Sequence, residues 1–417
     1  MNGSSTVTQD NGLAQLSSIL GPQYIRREGD ILVAIPADKQ QIAEVLRFAA
    51  AHNLAVTPVG GATKQGWGNR VKADIHLSLS RINVVREHAW QDMTCTVEAG
   101  AKWADLQAAL AKHHQMVALD PLWPDRATVG GVIASNDSGA MRLKFGGLRD
   151  LIIGMTVVLA DGTIAKSGGK VVKNVAGYDL HKLMTGSFGT LAVLAEVNFR
   201  LHPMEQHAHT WSIMAPDAQH SATAAFSGEL RSLLDSQITP TSIQLRCSRN
   251  ECIVDIRIAS MPACLDEYAL RLKKLFGEQR VVDSSDTVWQ ARERLFDRQD
   301  SIVLKVSVLP SEICSLSSEL QKASNRDLEV SSAAQANGLM TVELYGDTSI
   351  AAGVIQLLRE RVLSSGGSVV VQQLSDDLRD RIDVWGPASN PLPLMREIKR
   401  LFDPGRTLNP GRFVGNI

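Results

Sequence analysis

The sequence predicts an α+β fold divided into two domains, and three observations indicate it. Residues 31–59 form a predicted strand–helix–strand unit, in which Asp38 caps a helix that runs to about His52. Glycine-rich segments follow predicted strands throughout the first half of the chain. Residues 302–372 alternate in the order βαββαβ, which is typical of a ferredoxin-like sheet. We therefore expect a ligand-binding domain in the first half and an α+β domain after it.

Length and charge set the broad class of the protein. A chain of 417 residues is long enough for two or three domains. Its formal net charge of −1 gives no electrostatic reason to expect a nucleic-acid partner. The polar start lacks the pattern of a signal peptide, and the longest apolar run, residues 151–160, is too short for a transmembrane segment. These features predict a cytoplasmic protein that reaches a membrane only through partners.

Cysteine and histidine usage predicts reduced thiols and no metal site. The chain has five widely spaced cysteines, an odd number, and none forms the C-x2-C pair that zinc and iron–sulfur sites usually use. Cys247 and Cys252 lie on two predicted strands, so buried core thiols are expected there. No histidine follows His220, so residues 221–417 offer no imidazole as base or metal ligand.

Two glycine-rich segments are candidate ligand-binding elements. The turn Pro58–Asn69 contains Gly60 and Gly61, whose backbone N–H groups could form an anion nest, with a hydroxyl from Thr63 and a charge from Lys64. It matches neither a P-loop nor the Rossmann fingerprint. The stretch Asp120–Gly147 is poor in large apolar residues, so we expect a long loop against a flat polar ligand instead of a packed helix or strand.

Motifs in these segments resemble a known family of flavoproteins. The chain resembles the PCMH-type FAD-binding domain of the vanillyl-alcohol-oxidase family in P-x-G-G-x-T-K (58–64), A-T-V-G-G (127–131), S-N-D-S-G (135–139), G-x-x-R-D (146–150) and the D-G-x-I hairpin (161–164). It further resembles the family of FAD-binding E subunits of bacterial glycolate oxidases in K-N-V-A-G-Y-D-L (173–180) and G-S-x-G-T-L (186–191). The closing F-D-P-G-R-T-L-N-P-G (402–411) also looks like this family.

The resemblance implies a domain organisation and a set of FAD contacts. It implies a two-subdomain PCMH-type FAD-binding domain over residues 1–203, completed by residues 386–417, and a ferredoxin-like α+β cap over residues 204–385. FAD would be held non-covalently, because the glycine turn contains no His or Cys. The implied cofactor-binding residues are Pro58, Gly60, Gly61, Ala62, Thr63 and Lys64 for the pyrophosphate, Thr128, Gly130, Gly131, Ser135, Asn136, Ser138 and Gly139 for the pyrophosphate and ribityl chain, Gly186, Gly189, Thr190, Glu196 and Val197 for the adenosine end, and Asn409 near the isoalloxazine.

The resemblance also implies an activity and partners. The chain would be the FAD-binding subunit of a glycolate oxidase complex that oxidises glycolate to glyoxylate. A paralogous FAD-containing catalytic subunit and an iron–sulfur subunit would complete the complex, attached to the inner membrane only through those partners. The cap lacks the histidines that related hydroxy-acid enzymes carry, and only Asn337-Gly338 remains of their A-H-x-G-N-G type sequence. The sequence therefore identifies no catalytic base.

Two alternatives stay open. One is a self-sufficient FAD-dependent dehydrogenase of another small 2-hydroxy acid or alcohol, in which Tyr178, Tyr345 or Glu343 would take the hydroxyl proton. The other is a non-catalytic scaffold subunit that keeps the fold and holds little flavin.

Overall fold

The computed structural model describes residues 4–170, 178–215, 224–388 and 390–417, and its contacts divide the chain into two compact units. The first unit comprises the chain up to Ser138, Gly147–Met204 and Ala388–Ile417. The second comprises Gly139–Gly146 and Glu205–Pro387.

The first unit begins with a four-stranded sheet. Its strands are β1 (Ile25–Glu28), β2 (Ile31–Ala34), β3 (Val56–Val59) and β4 (Ile75–Ser78), in the order β1-β2-β4-β3, with helices α1 (Ser4–Leu20) and α2 (Lys39–Ala51). The Asp38 side chain accepts a hydrogen bond of 2.8 Å from the Gln41 amide, which confirms the predicted cap of α2. Since β2, β4 and β3 are parallel, the Pro58–Lys64 turn lies at the carboxyl end of the sheet.

A five-stranded antiparallel sheet forms the other half of the first unit. Its order is β5-β6-β10-β8-β9, and the predicted Asp161-Gly162 hairpin is confirmed between β8 and β9. Gly162 adopts a φ of 80°, the left-handed conformation that favours glycine. The elements of this half are β5 (Val85–Ala89), β6 (Thr94–Glu98), α3 (Trp103–Ala111), β7 (Gln115–Met116), α4 (Val129–Ser135), α6 (Leu148–Leu151), β8 (Ile152–Val158), β9 (Ile164–Gly168), α7 (Leu180–Met184), β10 (Val193–Arg200), β11 (His202–Pro203) and α13 (Leu392–Phe402).

The stretch Asp120–Gly147 is not a continuous loop, so that expectation is wrong. It contains the seven-residue helix α4, whose Val129, Val132 and Ile133 are fully buried. Glycine has poor helix propensity, which hid this helix in the sequence. A Cβ atom on Gly130 would lie 3.0 Å from the Ala99 Cβ atom, so close packing against β6 and its following turn requires glycine inside the helix.

The second unit is built on an eight-stranded sheet of order β15-β12-β14-β13-β17-β18-β16-β19. Each half has the sequence order βαββαβ and the spatial order fourth-first-third-second strand, so both halves are ferredoxin-like. The two second strands, β13 and β17, pair antiparallel and join the halves. The elements are α5 (Arg142–Phe145), β12 (Ala208–Met214), α8 (Ala224–Leu234), β13 (Ser242–Cys247), β14 (Cys252–Ala259), α9 (Pro262–Phe276), β15 (Val281–Ser284), α10 (Ala291–Arg294), β16 (Ile302–Ser307), α11 (Ile313–Ala323), β17 (Leu328–Gln335), β18 (Leu339–Gly346), α12 (Thr348–Leu363) and β19 (Ser368–Gln373).

The expectation that all cysteines are reduced is wrong for one pair. Cys247 and Cys252 are directly opposite each other in the β13–β14 hairpin, with their Cα atoms 4.2 Å apart, and a disulfide joins them. Both are buried on strands, as predicted, and their pairing register is what brings the sulfur atoms together. Cys95, Cys264 and Cys314 remain free thiols.

Across the residues described above, none of the helices combines the length and hydropathy that a bilayer crossing needs.

The disulfide predicts a definite thiol count. When the purified protein is unfolded without reductant and alkylated, we expect three labelled cysteines, Cys95, Cys264 and Cys314. After reduction, the count should rise to the five cysteines of the sequence. Mass spectrometry of the intact protein measures both values, and five labels without reductant would contradict the structure.

Candidate functional site

The glycine turn after β3 is pressed against the segment that leads into α4. A Cβ atom on Gly60 would overlap the Thr128 hydroxyl oxygen, and one on Gly61 would overlap the carbonyl oxygen of Arg126. Ala62 follows in the left-handed conformation, with a φ of 55°. Two glycines therefore allow the backbones of two distant segments to meet.

Helix α4 is held at its start by the turn after β6. Thr128 is the N-cap and accepts a bond of 3.3 Å from the Gly131 amide. The Gly130 amide donates to the Ala99 carbonyl at 2.7 Å. At the other end, Asn136 has a φ of 48° and closes the helix in a left-handed conformation. The helix is short, and both of its ends are fixed.

The turn Gly186–Thr190 and the closing segment complete this region. The Gly186 and Phe188 amides donate to carbonyls of α4 at 2.9 and 2.8 Å. The Asn409 side-chain amide donates to the Phe188 carbonyl at 2.7 Å. The buried Lys399 ammonium binds the Thr190 and Leu408 carbonyls at 2.7 and 2.8 Å, and it pairs with Asp403. The C-terminal segment is thereby tied to the turn.

These segments enclose one cavity of the first unit, with about 670 Å³ of empty space including the part open to solvent. The predicted residues that line it are Pro58, Gly60, Gly61, Ala62, Thr63, Lys64, Thr128, Gly130, Gly131, Ser135, Gly189 and Asn409. The sequence did not single out the other lining residues, which are Gln65, Leu79, Ala134, Phe188, Ala192, Leu194 and Arg412.

The remaining predicted residues lie elsewhere. Asn136 packs against Gly186 and directly follows the lining residue Ser135. Ser138 is buried two residues later, and Thr190 is buried directly after the lining residue Gly189. Gly139 belongs to the second unit. Val197 is fully buried in β10, and Glu196 lines a second, more polar cavity on the open face of the five-stranded sheet. Residues 173–177 of the K-N-V-A-G-Y-D-L motif lie outside the described residues.

Arg412 supplies positive charge to the first cavity. Its guanidinium is 6% exposed and donates to the carbonyls of Lys64, Gln65 and Trp67 and to the Gln65 side chain, at 2.9 to 3.3 Å. Burial lowers the pKa of Arg412 to about 10, so the group is still charged at neutral pH. Its hydrogen bonds hold the glycine turn in place, and the guanidinium carries a full positive charge at the cavity wall.

Asn409 presents an acceptor to the same cavity. Its backbone φ is 42° and its side chain is 1% exposed. Because the Phe188 carbonyl can only accept, the amide nitrogen of Asn409 must face it, which leaves Oδ1 as a free acceptor beside the cavity wall. Oδ1 is buried and has no hydrogen-bond partner among the residues described. Such an atom calls for a donor from a ligand.

Comparisons with known proteins identify the ligand of the matched region. Residues 31–168 match the family model for the FAD binding domain.

The matched region is an FAD binding domain.

Curated relatives match about half of the chain. The mitochondrial D-lactate dehydrogenase [cytochrome] of Arabidopsis thaliana is 29% identical over 208 residues, 50% of this chain and 36% of the relative. Glycolate oxidase subunit GlcD of Bacillus subtilis is 33% identical over 190 residues, 45% of this chain and 40% of the relative. The matches thus span less than half the length of either relative.

A solved structure shares the fold over nearly the whole chain. 4-Ethylphenol oxidase from Gulosibacter chungangensis superposes with a TM-score of 0.75, covering 99% of this chain and 98% of that one at 15% identity. This confirms the predicted α+β fold.

FAD fits the residues of the first cavity. The backbone amides of a glycine turn and the charge of Arg412 suit a pyrophosphate, which accepts hydrogen bonds and is anionic. The unpartnered Asn409 Oδ1 suits an N–H or hydroxyl group, which the flavin ring and the ribityl chain both offer. Arg412 escaped the sequence analysis because only the fold returns residue 412 to the turn at residue 60. The nearby F-D-P-G-R-T-L-N-P-G motif was the available signal.

The residues described contain no cluster of three or more His, Cys, Asp or Glu side chains that could hold a metal ion.

We expect Gly61→Ala to weaken FAD binding by roughly tenfold or more, a loss of about 1.4 kcal/mol. The added Cβ atom would overlap the Arg126 carbonyl oxygen and push the turn away from α4. The measurement is the FAD dissociation constant of protein stripped of flavin. Gly353→Ala in α12, where no atom approaches the new Cβ atom, is the matched control and should bind FAD normally. Equal affinity of the two variants would show that the close approach is dispensable.

Proposed function

We propose that this chain is the FAD-binding subunit of a glycolate oxidase complex, which oxidises glycolate to glyoxylate and passes electrons to an iron–sulfur partner. The observation that carries the proposal is the FAD cavity, whose glycine turn and α4 lie within the matched FAD binding domain. The named relatives, a D-lactate dehydrogenase and a glycolate oxidase subunit, support a small 2-hydroxy acid as substrate. Bound FAD would accept the hydride from the α-carbon of such an acid.

The second unit supports a division of labour between subunits. Deprotonating the substrate hydroxyl needs a base, and no histidine follows His220 in the chain. We therefore assign the main oxidation step to a paralogous FAD-containing subunit. We propose that residues 1–203 with 386–417 hold non-covalent FAD and that residues 204–385 form the cap, in which no histidine follows His220.

The test is an anaerobic visible spectrum of the isolated chain before and after glycolate is added. The division of labour predicts a flavin spectrum that glycolate leaves unchanged, and bleaching only once the partner subunits are present. D-Lactate in a parallel sample tests the substrate class. Full-rate bleaching by the isolated chain would contradict the division of labour, and protein that stays colourless after FAD is added would favour the scaffold alternative.

One observation favours the self-sufficient dehydrogenase as a second candidate. Glu343 on β18 and Asp255 on β14 are both acidic residues on the third strand of a ferredoxin-like half, which lies between the first and second strands. Asp255 is fully buried and satisfied: it accepts from Ser212, Gln244 and Arg246 at 2.6 to 2.9 Å. It is a structural acid.

Glu343 differs from its counterpart. It is 6% exposed, and its Oε1 has no hydrogen-bond partner among the described residues. The nearby Arg298 pairs with Glu329 at 3.0 Å and lies over the Tyr345 ring at 4.4 Å. Burial raises the pKa of Glu343, against the opposing effects of Arg298 and a hydrogen bond from Ser301. A buried carboxyl with a raised pKa and a free oxygen is typical of a general base. Tyr178, by contrast, is 89% exposed.

Glu343→Gln separates this candidate from the first. If Glu343 is the base, the rate of flavin reduction by the hydroxy acid rises with pH as Glu343 loses its proton. The variant should then lose about a hundredfold in rate together with this pH dependence. Glu329→Gln, a carboxylate on the same arginine, is the control and should keep both. An unchanged rate in Glu343→Gln would exclude Glu343 as base.

The same residue predicts a pH dependence of stability. The folded-state pKa of Glu343 is raised, so the folded protein binds more protons than the unfolded chain at pH values between the ordinary and the raised pKa. The free energy of unfolding therefore falls as pH rises through this window. Glu343→Gln should remove that part of the slope in urea titrations at several pH values, and an unchanged slope would contradict the assigned shift.

A further inference from the structure

We propose that Lys64 is a positioning residue for FAD binding. Asp137 and two tryptophan rings hold its ammonium group in place. The bound ammonium fixes the glycine turn and does not bind the FAD phosphates. The inference rests on FAD binding alone and is independent of the substrate. It reassigns the lysine that the P-x-G-G-x-T-K motif suggests as a phosphate contact.

The Lys64 ammonium is bound by buried groups of the protein itself. Its Nζ lies 3.3 Å from Asp137 Oδ2 and donates to the Leu122 carbonyl at 3.3 Å. The two charged side chains are 6% and 2% exposed. Asp137 Oδ2 also accepts from the Leu122 amide at 2.8 Å. Through Lys64, the glycine turn is thus joined to Leu122, before α4, and to Asp137, after α4.

Two tryptophans flank the same ammonium. Lys64 Nζ lies 5.6 Å from the Trp67 ring centroid and 5.2 Å from that of Trp123. The ring centroids are 6.3 Å apart and the planes are inclined by 58°. Both distances are within the range of a cation–π interaction, which is strongest where the cation is desolvated. The rings and Asp137 therefore favour the ammonium in this position.

Charge balance separates the roles of Lys64 and Arg412. A buried carboxylate 3.3 Å away largely neutralises the Lys64 ammonium, so it adds little charge for a phosphate. Arg412 donates to the Lys64 carbonyl at 2.9 Å and lines the cavity itself. We assign the pyrophosphate charge to Arg412 and the placement of the turn to Lys64 with Asp137.

A double-mutant cycle tests the assignment. FAD dissociation constants are measured at several salt concentrations on flavin-stripped wild type, Lys64→Met, Asp137→Asn and the double variant. Positioning predicts that each single variant weakens binding at least tenfold, because each leaves the other charge buried without its partner. It also predicts that the double variant is no weaker than the worse single one, and that the salt dependence stays that of wild type.

A direct phosphate contact predicts different results and would overturn the proposal. Lys64→Met would then weaken binding and flatten its salt dependence, whereas Asp137→Asn would leave binding unchanged or tighten it. Lys182→Met removes an exposed lysine, 2.6 Å from Asp179, and is the matched control with wild-type affinity expected. Full affinity in Lys64→Met would likewise overturn the proposal.

Trp123→Leu keeps the proposal falsifiable if the charge variants do not fold. Trp123 is only half-buried, so its substitution should leave the fold intact. Positioning predicts at least threefold weaker FAD binding, because one wall around the ammonium is lost. A phosphate-binding lysine predicts no change, and that result would overturn the proposal.

Discussion

The cavity depends on one close approach of two backbone segments. Gly60 and Gly61 lie so near Arg126 and Thr128 that neither position has room for a Cβ atom. The turn follows the parallel strand β3 and Thr128 caps α4, so the contact joins these two elements. This contact positions the amides that would face a pyrophosphate, and the other polar groups of the site lie around it.

Electrostatics then divides the work among the side chains. Arg412 carries its charge on the cavity wall, and burial lowers its pKa only to about 10, so protonation is retained. Lys64 forms a buried pair with Asp137, which stabilises the turn and adds little net charge. Asn409 provides an acceptor that needs a donor. A pyrophosphate, a flavin ring and a ribityl chain together match these needs, which agrees with the FAD binding domain found over residues 31–168.

Local signals predicted the fold well where one short stretch determines the structure. Asp38 predicted the start of α2, and Asp161-Gly162 predicted the hairpin between β8 and β9. The order βαββαβ was correct, and the same order in the preceding half became visible only from the sheet. The features that depend on distant contacts were missed. The packing of Gly130 allows α4, the hairpin register joins Cys247 to Cys252, and the chain return brings in Arg412.

We expect FAD to be a non-covalent ligand of the first unit, whatever the substrate. The most direct test is to purify the chain, record its flavin absorbance, unfold it and separate the chain from the released small molecules. We predict FAD in the released fraction at about one molecule per chain, since the turn at Gly60–Gly68 offers no His or Cys for attachment. Flavin that stays on the unfolded chain, or protein that remains colourless after incubation with FAD, would contradict the account.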